Sequence, residues 1–114
     1  MPGGITVVKK QNLENNIKIA KDYLAKLREI GIPVVEAYIF GSRAKGTDHK
    51  WSDLDTCIVS STFGTDPIAE RVVLAIIGRN VADIIEPHPF SPEDFADKYN
   101  PLVTEIKKWG VKVA

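Results

Sequence analysis

Apolar residues recur at helical spacing through Leu13, Ile17, Ala20, Leu24 and Leu27, until Gly31 and Pro33 end the run. The spacing predicts a first helix whose other face carries Lys18, Lys21, Lys26 and Arg28, best read as a solvated surface. The β-branched and aromatic segment 33–40 predicts a buried strand, and 54–60 its neighbour. Asp66-Pro67 supplies an N-cap and an N1 proline for a second helix over 67–79. In that helix Ile68, Val72, Ala75, Ile76 and Arg79 share one side, while Val73, Leu74 and Ile77 widen the apolar stripe. A stripe so wide on so small a domain predicts an interface, with a second copy or with a partner. A third strand is expected over 81–86, with Pro87 and Pro89 forcing an extended exit from it. Ser91-Pro-Glu-Asp94 carries a capping-box pattern for a short helix. Asn100-Pro101 caps another, with Leu102, Val103, Ile106 and Trp109 expected to pack inward before Gly110. Val111–Val113 offers a last edge strand. The opening ten residues could add an edge strand at Ile5–Val8 or form a loose arm.

This order of helix, strand, strand, helix, strand, helices predicts one α/β (α+β) domain over 1–114. It should be a two-layer domain in which a small mixed sheet carries helices packed on one face. The length of 114 residues suits a single core, and 44% apolar with 26% charged residues excludes wholesale disorder. Fifteen basic residues balance fifteen acidic ones, which argues against a dedicated nucleic-acid binder but leaves room for a single nucleotide. Cys57 is the only cysteine, so no internal disulfide forms. With no signal peptide and no long apolar run, no membrane association is expected and the expected home is the cytoplasm.

The candidate chemistry lies between the first two strands. Gly41-Ser42 follows an apolar strand, and Gly and Ser at such a junction leave backbone N–H groups free for an anion. Arg43 and Lys45 follow at once and could neutralise phosphate charge. Ten residues after Ser42 come Asp53 and Asp55, two apart and therefore on one face of a strand, roughly 7 Å apart at Cα. Like charges so close call for a cation, and hard oxygen donors suit Mg²⁺, which recruits substrate phosphates. A phosphate cradle beside a carboxylate clamp is apparatus for phosphoryl or nucleotidyl transfer.

The run Gly41-Ser42, ten residues, Asp53-Leu54-Asp55 in strand context resembles the nucleotidyltransferase superfamily that includes DNA polymerase β, above all its minimal, antitoxin-type members. That resemblance implies the nucleotidyltransferase fold and two divalent ions, Mg²⁺ with Mn²⁺ as a substitute, held by Asp53, Asp55 and a third carboxylate. It implies phosphate binding by Gly41 and Ser42, and transfer of a nucleoside monophosphate from an NTP, ATP in the first instance, to a hydroxyl. An acid set among apolar residues, as in Val81-Ala-Asp83-Ile-Ile, favours Asp83 as the third acid, for catalysis and metal binding; Glu86 is the alternative. Strand alternation turns these two to opposite faces, so only one can point at Asp53 and Asp55. A chain this short lacks its own acceptor domain, so the acceptor should come from a partner protein. In minimal members that partner is often a small helical toxin, inactivated by AMP attached to a tyrosine. The competing reading is a non-catalytic nucleotide-binding or regulatory module that keeps the fold. His49 and His88 carry no zinc spacing. Ser52 could cap a turn ahead of the aspartates, Trp51 could stack on a base or lid the core, and Cys57 is expected to pack in the sheet.

Overall fold

The computed structural model describes residues 2–48 and 52–114, with side chains of the first helix described from Gln11 onward. Met1, His49, Lys50 and Trp51 lie outside the described residues, and with them the two readings of Trp51.

Helix α1 spans Pro2–Glu29, including the stretch for which an edge strand or loose arm was open. Ala20, Leu24 and Leu27 of the expected stripe are buried, and Tyr23 joins them, its hydroxyl donating to Leu74 O at 2.8 Å. Strands β1 (Glu36–Phe40) and β2 (Leu54–Val59) pair antiparallel, with helix α2 (Ser42–Lys45) between them. Helix α3 runs Pro67–Arg79, and the Asp66 side chain accepts from Ala69 N–H as its cap. Gly78 lies inside it because the helix approaches β3 there: a Cβ would meet Ile85 Cγ2 at 3.0 Å. Strand β3 (Ile85–Phe90) is parallel to β2, and β4 (Val111–Lys112) closes the opposite edge antiparallel to β1. The sheet order is β3-β2-β1-β4, a mixed sheet as expected.

The third strand is shifted from its expected span of 81–86, and the prolines lie within it. Leu54 N–H donates to Ile84 O and Ser60 N–H to Phe90 O, so even-numbered residues turn their backbone groups to β2. Pro87 and Pro89, odd-numbered on an edge strand, turn their missing N–H outward, where nothing is lost.

Side chains alternate across the sheet. Ala37, Ile39, Leu54, Ile58 and Ile85 join the main core under α1 and α3. Phe40, Cys57, Val59 and Phe90 point to the other face, where they meet Phe95, Val103 and Ile106. Those come from α4 (Pro92–Phe95), capped by Ser91, and α5 (Pro101–Trp109), capped by Asn100. The long helices thus share one face as the two-layer reading expects, and two short ones shelter part of the other. Trp109, expected to pack inward, is 56% exposed and sits beside Ala44 and Lys45. No helix among the described residues is long and apolar enough to cross a membrane.

Candidate active site

The sheet face that is only partly sheltered by α4 and α5 holds the chemistry. Asp55 lies second in β2 and pairs in register with Glu86, second in β3. A parallel ladder points register partners the same way, so the two carboxyl groups stand side by side. Asp53, immediately before β2 and exposed, lies near enough to Glu86 to act on its carboxyl together with Asp55. Burial first, then the Asp55 charge and the nearness of the two aspartate carboxyls, push the Glu86 carboxyl above its ordinary range, and His88 opposes them. His88, two residues on along β3, brings Nε2 within 3.1 Å of Asp55 Oδ1. Donor atoms of Asp55, Glu86 and His88 all lie within 4.8 Å of one another.

Asp83 is not part of this group. It is exposed in the turn before β3, because the strand begins only at Ile85. Of the two acids weighed for the third position, Glu86 stands beside Asp55, whereas Asp83, the one favoured by the sequence, does not.

Gly41 closes the site from the β1 side. Its φ of 75° lies in the region that side chains disfavour, and a Cβ would strike the Asp55 carboxylate. Gly41 is thus required by Asp55 as much as by any phosphate. Ser42 opens α2, half-buried, with Lys45 N–H bonding back to Gly41 O at 3.1 Å.

The two cations of the turn are placed differently. Arg43 is largely buried; Nε donates to Ser52 O at 2.7 Å and Nη1 lies 3.6 Å from Asp48 Oδ2. It ties together the two ends of the loop that leads to the aspartates. Lys45 is exposed and pairs with Glu105 of α5 at 3.2 Å, a contact weak enough to exchange. Ser52 is buried ahead of Asp53. Cys57 shares the face of Asp53 and Asp55 further along, fully buried, and burial pushes its thiol up to about 12.

Two residues escaped the sequence reading. His88 was legible, because it follows Glu86 by two and so shares its face. Arg71 of α3, whose Nη2 donates to Glu86 Oε1 at 3.0 Å, had no local signal; only the packing of α3 beside β3 brings it there.

Residues 17–111 match the family model of the nucleotidyltransferase domain. The chain belongs to that family. Among solved structures, a Sulfolobus solfataricus protein assigned as a nucleotidyltransferase shares the fold at 20% identity and a TM-score of 0.62, with 91% of this chain and 84% of that one covered. A toxin–antitoxin structure with AMP-PNP aligns at 24% identity and a TM-score of 0.60, over 82% of this chain and 71% of that one. A mutant toxin–antitoxin MntA-HpeT structure aligns at 20% identity and 0.61, over 83% and 72%. A search of curated proteins gives no match. Family and fold together make the chain a transferase of nucleotidyl groups.

Proposed function

We propose that the chain moves a nucleoside monophosphate from an NTP, first of all ATP, to a hydroxyl on a partner protein. The observation that carries this is the convergence of Asp53, Asp55 and Glu86 beside the Gly41-Ser42 turn. Three carboxyl groups that crowd one another, one of them held protonated more readily than usual, fit a divalent-cation site better than a structural one. Asp53, Asp55 and Glu86 would hold Mg²⁺, which when bound offsets triphosphate charge and eases ionisation of the attacking hydroxyl.

The chain's own groups do the rest. Gly41 N–H and the Ser42 hydroxyl hold the β- and γ-phosphates, and Lys45 leaves its exposed pair with Glu105 to join them. Arg43 braces the loop from within and holds the aspartates in place. The acceptor oxygen attacks the α-phosphorus, its proton passes to Glu86, the bond to the β-phosphate bridge breaks, and pyrophosphate leaves.

A protein acceptor is supported by α3. Ile68, Val72 and Ile76 are 80%, 53% and 58% exposed, and an open groove of about 530 Å³ runs from Ile68 and Val72 to Pro89 and His88. An apolar helix laid there would bring a hydroxyl side chain near Glu86. That two structural neighbours are toxin–antitoxin structures supports a partner protein, and the resemblance to minimal family members supplies the finer reading of a small helical toxin modified on a tyrosine. Co-expression with the product of the adjacent gene, followed by mass spectrometry, tests it: AMP on a tyrosine of the partner is expected, and a partner left unmodified in the presence of ATP with either Mg²⁺ or Mn²⁺ would refute it.

A further inference from the structure

The donor set at the carboxylate cluster is not all oxygen. Glu86 and His88 stand two apart on β3, and the parallel register sets them opposite Asp55 and Cys57 of β2. His88 is mostly shielded, its ring edge-on against Phe40 with centroids 5.0 Å apart. That packing fixes the ring with Nε2 turned to Asp55 Oδ1 at 3.1 Å. Two ligands at right angles on one ion, with bonds of about 2.1 Å, stand about 3.0 Å apart. The Asp55–His88 separation matches that edge, and a Glu86 donor lies within 4.8 Å of both.

We propose that His88 is a direct ligand of the metal held by Asp55 and Glu86, so that this position favours a first-row transition ion over Mg²⁺, with Mn²⁺ serving as its spectroscopic probe. Imidazole nitrogen suits Fe²⁺, Co²⁺, Ni²⁺ or Zn²⁺, binds Mn²⁺ more weakly, and adds little for Mg²⁺, which keeps to oxygen. In the metal-free protein the same nitrogen hydrogen-bonds to Asp55, which keeps both donors in place. Nucleotide binding is not needed for this site, so it can be tested apart from transfer. The proposal rests on the metal-dependent reading above only for its catalytic meaning.

The test is electron spin-echo spectroscopy of Mn²⁺ bound to the full chain without nucleotide. Bound Mn²⁺ should show modulation from a directly coordinated ¹⁴N, replaced by ¹⁵N coupling in protein grown on ¹⁵N-histidine. The chain has two histidines. His88→Asn should abolish the nitrogen signal and weaken Mn²⁺ binding about tenfold or more, while His49→Asn should keep both. Competing Mg²⁺ should displace the ion only at large excess. An all-oxygen environment in the wild-type protein, a nitrogen signal that survives His88→Asn, or equal competition by Mg²⁺ would each overturn the proposal. The isotope experiment needs no variant, so a poorly folded His88→Asn leaves the test intact. Loss of transfer activity with the nitrogen signal present would count against the proposed reaction and not against the ligand.

Discussion

Gly41 lies so close to Asp55 that a Cβ on it would collide with the Asp55 carboxylate. The close approach joins the Gly41-Ser42 turn to the strand that carries Asp55, and φ of 75° makes it accessible to glycine alone. Gly41→Ala should cost about 1–2 kcal/mol from the backbone and should displace Asp55 as well. Thermal melting should show the first loss; nucleotidyl transfer should fall by far more than that loss explains. A variant as active as the wild type would separate the turn from the carboxylate.

The register pairing of Asp55 with Glu86 makes Glu86 and Asp83 unequal. Glu86→Gln should lower kcat about 10²- to 10⁴-fold, the range of a lost proton-transfer group. In the metal-free protein it should raise Tm slightly, because one of three crowded carboxyl groups is gone. Asp83→Asn, in an exposed turn, should change neither activity nor stability measurably. The reverse pattern would return the third acid to Asp83.

Cys57 supplies a pH signature away from the metal. Burial raises its thiol from 9.0 to about 12 in the folded chain, so the unfolded chain loses that proton first. Stability contributed by Cys57 is therefore complete below pH 9 and falls as pH rises from there toward 12. Cys57→Ala should flatten that alkaline decline relative to wild type, although the smaller side chain lowers stability overall. At pH 8 the native thiol should resist Ellman's reagent and react only after denaturation; rapid native labelling would contradict its burial.

On α3, Val72 and Ile76 are more than half exposed, so Val72→Glu and Ile76→Glu should alter folding stability by no more than about 0.5 kcal/mol. Each should nevertheless raise KM for a protein acceptor while the affinity for ATP stays constant. Unchanged acceptor KM in both variants would remove this face from the docking surface.

Much of this architecture was legible because local signals agreed. Asp66-Pro67, Ser91-Pro92 and Asn100-Pro101 each announce a helix start, and each begins one. The glycine–serine turn and the Asp53–Asp55 spacing pointed to the stretch that the structure sets beside Glu86. The third strand was misplaced because its prolines were read as a break, whereas an edge position lets Pro87 and Pro89 face outward. The apolar flanks that favour Asp83 over Glu86 are a pattern that carries no register information, whereas register is what pairs Glu86 with Asp55. Helices on both faces were foreshadowed by unbroken apolar runs in Tyr38–Phe40 and Cys57–Val59, where one-sided strands would alternate. Trp109 has helical spacing from Ile106 yet stays outside, because α5 ends there beside α2 and, among the described residues, no further element covers it. Arg71 reaches Glu86 through tertiary packing alone.

The central claim is transfer of the α-phosphoryl group with its nucleoside, carried by Asp53, Asp55 and Glu86. Parallel reactions with α-labelled and γ-labelled ATP, divalent metal and the partner protein test it most directly. The account predicts that the α label enters the acceptor, that the γ label appears only in pyrophosphate, and that Asp53→Asn, Asp55→Asn and Glu86→Gln each suppress the incorporation. Entry of the γ label into the acceptor, or α-label transfer undiminished in those three variants, would contradict it.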